Sequence, residues 1–195
     1  MSRRLLWGAA VLFLVAVSCS GTLSTGEYYA EIEGSVGTYD ADTAEIFSVY
    51  RSAVQVGLEE FEQATAGDDL DSDMLAAATV DFRRVTVAEI TQAFREVKSA
   101  LDRYVLALDR LAPPSELETV HAEWVATLQR AEDAIPELIT ELRSAATLQA
   151  ISGIINGSAF GDVQPRVVAA CRKVEEAALV LDRLLDLKCG SATGP

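Results

Sequence analysis

The residues best equipped for chemistry in this chain are Glu118 and His121, a Glu-x-x-His pair in Glu118-Thr119-Val120-His121. Three apart on a helix, the two side chains share one face. Carboxylate-bridged di-iron bundles use two such pairs and two further glutamates. The chain has a single histidine, so a second pair does not exist, and a surface or helix-capping histidine is the plainer expectation. A metal- or small-molecule-binding bundle using Glu118 and His121 is kept as the alternative function. Two acidic runs stand out, Glu59-Glu60-Glu62 and Asp69-Asp71-Asp73. The second places acids at the first, third and fifth positions of a calcium-loop pattern. Met74 stands where that pattern needs glycine, however, and Val80 where it needs glutamate. It reads instead as a solvated loop with an N-cap for the following helix. Hydrolytic triads mostly need a histidine base, and no Gly-x-Ser-x-Gly elbow accompanies His121. Phosphate-cradling loops, dinucleotide fingerprints and Cys/His metal spacings are also missing from the sequence. The expectation is a protein that is not an enzyme, with no catalytic residue, no cofactor and no metal.

Charge narrows the partners. The chain carries 30 acidic against 16 basic residues, a formal charge of −14. Such a surface repels nucleic acid and anionic headgroups, so no nucleic-acid partner is expected. Abundant alanine with few prolines and aromatics is a helical composition.

The amino terminus reads as an address. Arg3 and Arg4 precede Leu5–Val17, a 13-residue run without charge. That suits a signal-peptide core and falls short of the roughly 20 apolar residues of a spanning helix. Ala16-Val17-Ser18-Cys19 then resembles the lipobox of bacterial lipoproteins, with Ala16 where leucine is usual. The resemblance implies a signal peptide over 1–18, cleavage before Cys19 and lipidation of Cys19. Ordinary signal cleavage after Ser18 is the competing reading of the same small residues. Residues 19–26 would form a lipidated tether, 27–189 a helical-bundle domain and 190–195 a disordered tail. Removing residues 1–18 takes two arginines and no acid, which moves the formal charge from −14 to −16. The expected location is the outer face of the cell membrane, with the bilayer as partner through the lipid anchor and an envelope protein as a further candidate partner. The expected role is structural, partner-binding or ligand-sensing.

The elements that would position these groups follow from apolar spacing. Tyr28, Ile32, Val36 and Tyr39 recur at helical intervals, weakened by Gly34 and Gly37. Asp40 and Asp42 read as N-caps of a helix carrying Ile46, Tyr50, Val54, Leu58 and Phe61. A break follows at Ala66-Gly67-Asp68-Asp69. A second long segment runs from Leu75 through Ile90, Phe94, Leu101 and Tyr104 to Leu111, with a bend allowed at Val85-Thr86-Val87. Pro113-Pro114 is expected to end that helix and begin a third, marked by Leu117, Trp124, Leu128, Ile135 and Leu142, with Pro136 as a kink. Ser152–Asp162, with three glycines and an Asn-Gly pair, reads as a loop. A last helix starts near Pro165. The fold class expected is all-α, an up-down-up-down four-helix bundle with a short extended C-terminal return. Trp124 and the tyrosines at 28, 29, 39, 50 and 104 read as core or boundary aromatics that a groove between helices would share.

Cys171 and Cys189 remain. On one continuous helix they would stand about 27 Å apart, far beyond bridging distance. A bond therefore requires the helix to stop midway, near Asp182, where neither Gly nor Pro forces a stop. Free or intermolecular thiols stay open on spacing alone. Residues 28–189 resemble a loosely defined group of bacterial secreted lipoproteins. The likeness rests on Leu111-Ala112-Pro113-Pro114-Ser115-Glu116-Leu117 between long helices, on Cys171, and on the Leu187-Lys188-Cys189 end. This chain lacks the glycine that often precedes the return in that group. The resemblance implies a Cys171–Cys189 disulfide, structural in role because no Cys-x-x-Cys is present.

Overall fold

The computed structural model describes residues 23–67 and 71–189. The expected signal peptide over 1–18, Cys19 and the expected 190–195 tail lie outside the described residues, as do Asp68 and Asp69. Five helices occur among the described residues: α1 (Thr25–Thr65), α2 (Ser72–Asp109), α3 (Glu118–Arg143), α4 (Leu148–Gly157) and α5 (Ala159–Val180). No strand occurs among the described residues. No described helix is long and apolar enough to cross a membrane.

The first helix starts earlier and runs longer than its sequence suggests. Ser24 and Glu27 form a reciprocal capping box: the Glu27 N–H donates to Ser24 Oγ, and the Ser24 N–H to Glu27 Oε2 at 3.0 Å. Residues 25 and 26, expected in a tether, are therefore helical. Asp40 and Asp42, expected as N-caps, lie inside the same helix. The apolar stripe explains the continuity. Tyr28 and Ile32 are fully buried and Tyr39 stacks on Tyr104 at 4.9 Å, so breaking the helix after Gly37 would unseat them. Asp42 instead reaches across to α2, where Arg103 donates to it at 2.6 Å.

At the start of α2, Asp71 Oδ1 accepts from the N–H groups of Asp73 and Met74 at 2.9 and 2.8 Å, the N-cap expected of the acidic run. The helix continues unbroken through Val85-Thr86-Val87. Pro113 and Pro114 do not open α3. The Leu117 N–H donates to the Pro114 carbonyl at 2.9 Å, and the helix begins at Glu118. Pro136 lies within α3.

The expected loop over Ser152–Asp162 is helical. Thr147 caps α4 by accepting from the Ala150 N–H, and after one non-helical residue, Ser158 caps α5 through the Gly161 N–H. Helically spaced Ile151, Ile154, Ile155, Phe160 and Val163 pack on the core and outweigh the glycines. Gly161 has a specific role there. A β-carbon on it would stand 2.6 Å from the Ile155 carbonyl oxygen, so the tight elbow between α4 and α5 accepts no side chain. Helix α5 accordingly starts at Ala159, with Pro165 inside it.

Helix α5 stops at Val180 without glycine. Asp182 takes a left-handed φ of 55° while its N–H donates to the Leu179 carbonyl and that of Arg183 to Ala178. This is a Schellman closure with Asp where glycine is usual. The chain then returns without regular structure, burying Leu185 and Leu187 and leaving Leu184 and Asp186 exposed. The return ends in the Cys171–Cys189 disulfide, with Cα atoms 5.7 Å apart.

Helix α1 packs on α2, α2 on α3 and α3 on α5, while α4 sits against α5, α3 and α2. Each long pair carries an ion pair: Arg103–Asp42 for α1 and α2, Lys98–Glu132 for α2 and α3, Lys173–Glu123 for α3 and α5. The core centres on Trp124, Ile135, Leu138, Leu142, Leu108 and Val174.

Candidate functional site

His121 is neither exposed nor poised to bind a ligand. It is 5 % exposed and engaged on both nitrogens, Nδ1 with the Tyr28 hydroxyl at 2.7 Å and Nε2 with the Leu108 carbonyl at 3.1 Å. A carbonyl only accepts, so Nε2 carries the proton and the Tyr28 O–H donates to Nδ1. Burial pulls the imidazole pKa below its ordinary value, against the opposing pull of the Leu108 bond and of Asp109. Burial raises the Tyr28 phenol. The result is a neutral linkage joining α1, α2 and α3, with His121 also meeting a carbonyl in the last turn of α2. Glu118 is exposed. Among the described residues, no three His, Cys, Asp or Glu side chains gather as metal ligands would. A metal on His121 would have to displace one of its two hydrogen bonds.

The cavity lies elsewhere. Between the α1–α2 pair and the α4–α5 elbow opens a space of about 630 Å³, within the range of small-molecule sites. Its floor is Ile90, Phe94 and Val97 of α2, each nearly or fully buried. Phe94 is the hinge of the aromatic lining: it meets Phe47 of α1 edge-on at 6.5 Å and Phe160 of α5 at 5.6 Å. Tyr39, Tyr50 and Val54 form the α1 wall, and Leu148, Ile151 and Ile155 the α4 wall. The α4 wall is held by Arg83 of α2, whose Nη1 donates to the Ala146 carbonyl at 2.9 Å. A smaller space of about 80 Å³, bounded by Tyr39, Trp124, Phe160 and the disulfide, lies against it.

The polar groups of the larger cavity are few and all uncharged. The hydroxyls of Thr43 and Thr86 donate to their own helix, to the Tyr39 and Phe82 carbonyls at 2.9 Å. Burial pushes the Tyr39 phenol up to about 12 and raises Tyr50 as well, so neither ionises near neutral pH. Ser152 and Asn156 stand exposed at the rim, and Gln164 is half-buried. No charged side chain lines the space. An ionised ligand would enter unpaired, at a desolvation cost that disfavours it. A neutral molecule with an apolar body meets matching walls.

Tyr39 and Tyr50 carry the expected dual role of boundary aromatics lining a groove. Tyr28, Tyr104 and Trp124 are buried in the core and do not line this cavity, Tyr104 standing directly behind its wall residue Tyr39. Sequence reasoning missed the α4–α5 wall because glycines and Asn156-Gly157 suggested a loop. The signal that would have found it is the Ile151, Ile154, Ile155, Phe160 spacing. Compared with protein-family models, curated proteins and solved structures, the chain matches none of them.

Proposed function

We propose that this chain is an exported, lipid-anchored, non-catalytic protein that holds a neutral, largely apolar small molecule between its helices. In this reading α1, α2, α3 and α5 form an up-down-up-down four-helix core and α4 closes one side of the binding space. The observation that carries it is the cavity of about 630 Å³ with aromatic and aliphatic walls and no charged lining residue. Export and anchoring are supported by Arg3 and Arg4, by the apolar Leu5–Val17 run and by Ala16-Val17-Ser18-Cys19. The Cys171–Cys189 disulfide agrees with them, since such bonds persist in oxidising compartments. Tyr39, the nearest wall residue of α1, stands about 21 Å along the helix from Thr25 at 1.5 Å per residue. The ligand would thus be held clear of the anchored end and facing the aqueous envelope.

Thermal unfolding of the full chain with three probes of equal chain length tests the binding claim. These are monopalmitoyl glycerol, palmitate and hexadecyltrimethylammonium, each below its micelle concentration. The neutral probe is expected to raise Tm, as a ligand of the native state must, and the charged two to raise it less. Val54→Lys, which sets an ammonium into the α1 wall, is expected to abolish the neutral probe's effect. Equal shifts for all three heads, or an undiminished shift in Val54→Lys, would overturn the proposal. The anchor is tested separately by Cys19→Ser, which is expected to release the protein from the membrane fraction.

A further inference from the structure

The end of the molecule where α1 begins carries an apolar surface of its own. Leu179, Val180 and Leu184, around the Schellman turn that closes α5, are 58 %, 83 % and 92 % exposed. Single exposed leucines are ordinary, but three large aliphatic side chains within six residues form a patch. Its place in the fold is specific. The Arg183 guanidinium lies 3.5 Å from where a β-carbon on Gly26 would stand, which sets the α5 turn beside the first turn of α1. The Leu23 N–H donates to the Ala112 carbonyl at 3.3 Å, bringing the α2–α3 connection to the same end. Four residue steps, at most about 14 Å of chain, separate Leu23 from Cys19.

We infer that Leu179, Val180 and Leu184 form a membrane-contact cap that seats this end of the bundle in the interfacial layer of the bilayer. The inference rests on the lipid-anchor reading above: a lipidated Cys19 leaves this end no more than that short span from the membrane surface. The occupant is a lipid surface, because the bilayer that holds a lipidated Cys19 would lie within that span of the patch. With a formal charge of −14 over the chain, and −16 once residues 1–18 with Arg3 and Arg4 are removed, contact is driven by these aliphatic groups and not by attraction to anionic headgroups. Penetration follows the depth of other interfacial apolar faces, about 5–10 Å into the boundary between headgroups and acyl chains. The cap would fix the orientation of the bundle, with the α1–α2 turn pointing away from the membrane.

The test places single tryptophans on the full chain, processed in the native host and reconstituted into phosphatidylcholine vesicles. The host protein's Trp124 is 2 % exposed and contributes a constant background. Leu184→Trp reports on the cap, and Val49→Trp, on an exposed site of α1 distant from that end, serves as the reference. Lipids brominated high on the acyl chain are expected to quench position 184 at least about twofold more than position 49, as insertion to that depth requires. Raising the salt concentration is expected to leave the difference unchanged. Equal quenching at both positions while the protein floats with the vesicles overturns the cap and leaves the anchor standing. Failure to float, with an intact mass lacking the lipid, overturns the anchor reading and the cap with it.

Discussion

The two ends of the α1–α2 pair are built differently. Near the start of α1, Tyr28, Tyr29 and Ile32 are buried, and the Tyr28–His121–Leu108 linkage ties α1, α3 and the end of α2 together. Toward the α1–α2 turn, Gly57 is the sole buried residue of α1 beyond Thr43, and α2 buries nothing before Thr86. The two helices meet there through Phe61 and Phe82, with rings 5.6 Å apart, and through Gly57, whose absent β-carbon leaves room for Val85. The base is a packed core; the arm is a two-helix pair with solvent on most sides. The cavity lies where one passes into the other. A wall drawn from the less buried arm can move with little loss of core contact. Dense burial at one end and sparse burial at the other set the two apart.

That contrast can be broken by mutation. Trp124→Ala in the base is expected to cost about 3–5 kcal/mol, whereas Leu58→Ala on the half-buried arm should cost clearly less. Urea unfolding of both variants measures the difference, and equal losses would erase the distinction between base and arm. Removing the disulfide with Cys189→Ser should cost about 3 kcal/mol, the loop-closure value for 18 intervening steps. The same denaturation curve with and without reductant checks it.

His121→Leu strips the Tyr28 hydroxyl and the Leu108 carbonyl of a buried partner, an expected loss of about 1–3 kcal/mol. It also removes a pH dependence. The native imidazole binds its proton less readily than the unfolded one, whose pKa is 6.5. As pH falls through that value the unfolded chain is protonated first, so the His121 contribution declines from about pH 6.5 downward and levels off once the native ring is protonated too. Above that range it is fully present. His121→Leu should lack this slope, and the single imidazole resonance in NMR should titrate below the ordinary range.

The last comparison sets two glycines side by side. Gly34 lies mid-helix with nothing within 4 Å of a β-carbon, so Gly34→Ala should stabilise by about 0.5–1 kcal/mol. Gly161→Ala should destabilise instead, because its β-carbon would collide with the carbonyls of Ile155 and Asn156 in the elbow. Thermal melts of the two variants are expected to shift in opposite directions.

Much of the all-helical fold was legible in the sequence because long apolar stripes at helical spacing are hard to satisfy otherwise. Ile46 through Phe61 and Ile90 through Leu111 marked α1 and α2, and Asp71 announced a helix start. Local signals failed where packing outweighed them. Asp40 and Asp42 have the chemistry of N-caps, yet the ring of Tyr39 on Tyr104 carries the helix past them. Asn156-Gly157 has the chemistry of a turn, yet the isoleucines beside it are better buried on a helix. Asp182 stopped α5 in a conformation that sequence assigns to glycine first. For the candidate site, Tyr39 and Tyr50 were visible as boundary aromatics. The cavity itself was not, because its far wall comes from helix α4, which the glycines concealed. His121 was visible as a residue type, but its two partners lie 93 and 13 positions away along the chain and no spacing rule connects them.

The central claim, that the space between the arm and the α4–α5 elbow receives a neutral apolar molecule, is open to direct mapping. A monoacylglycerol carrying a diazirine in its chain can be bound to the full-length protein, irradiated, and its attachment sites located by peptide mass spectrometry. The account predicts labels on Tyr39, Phe47, Phe94, Ile155 or Phe160, competed away by unlabelled monopalmitoyl glycerol. Labels confined to Leu179, Val180 and Leu184, or spread over the surface without competition, would contradict it.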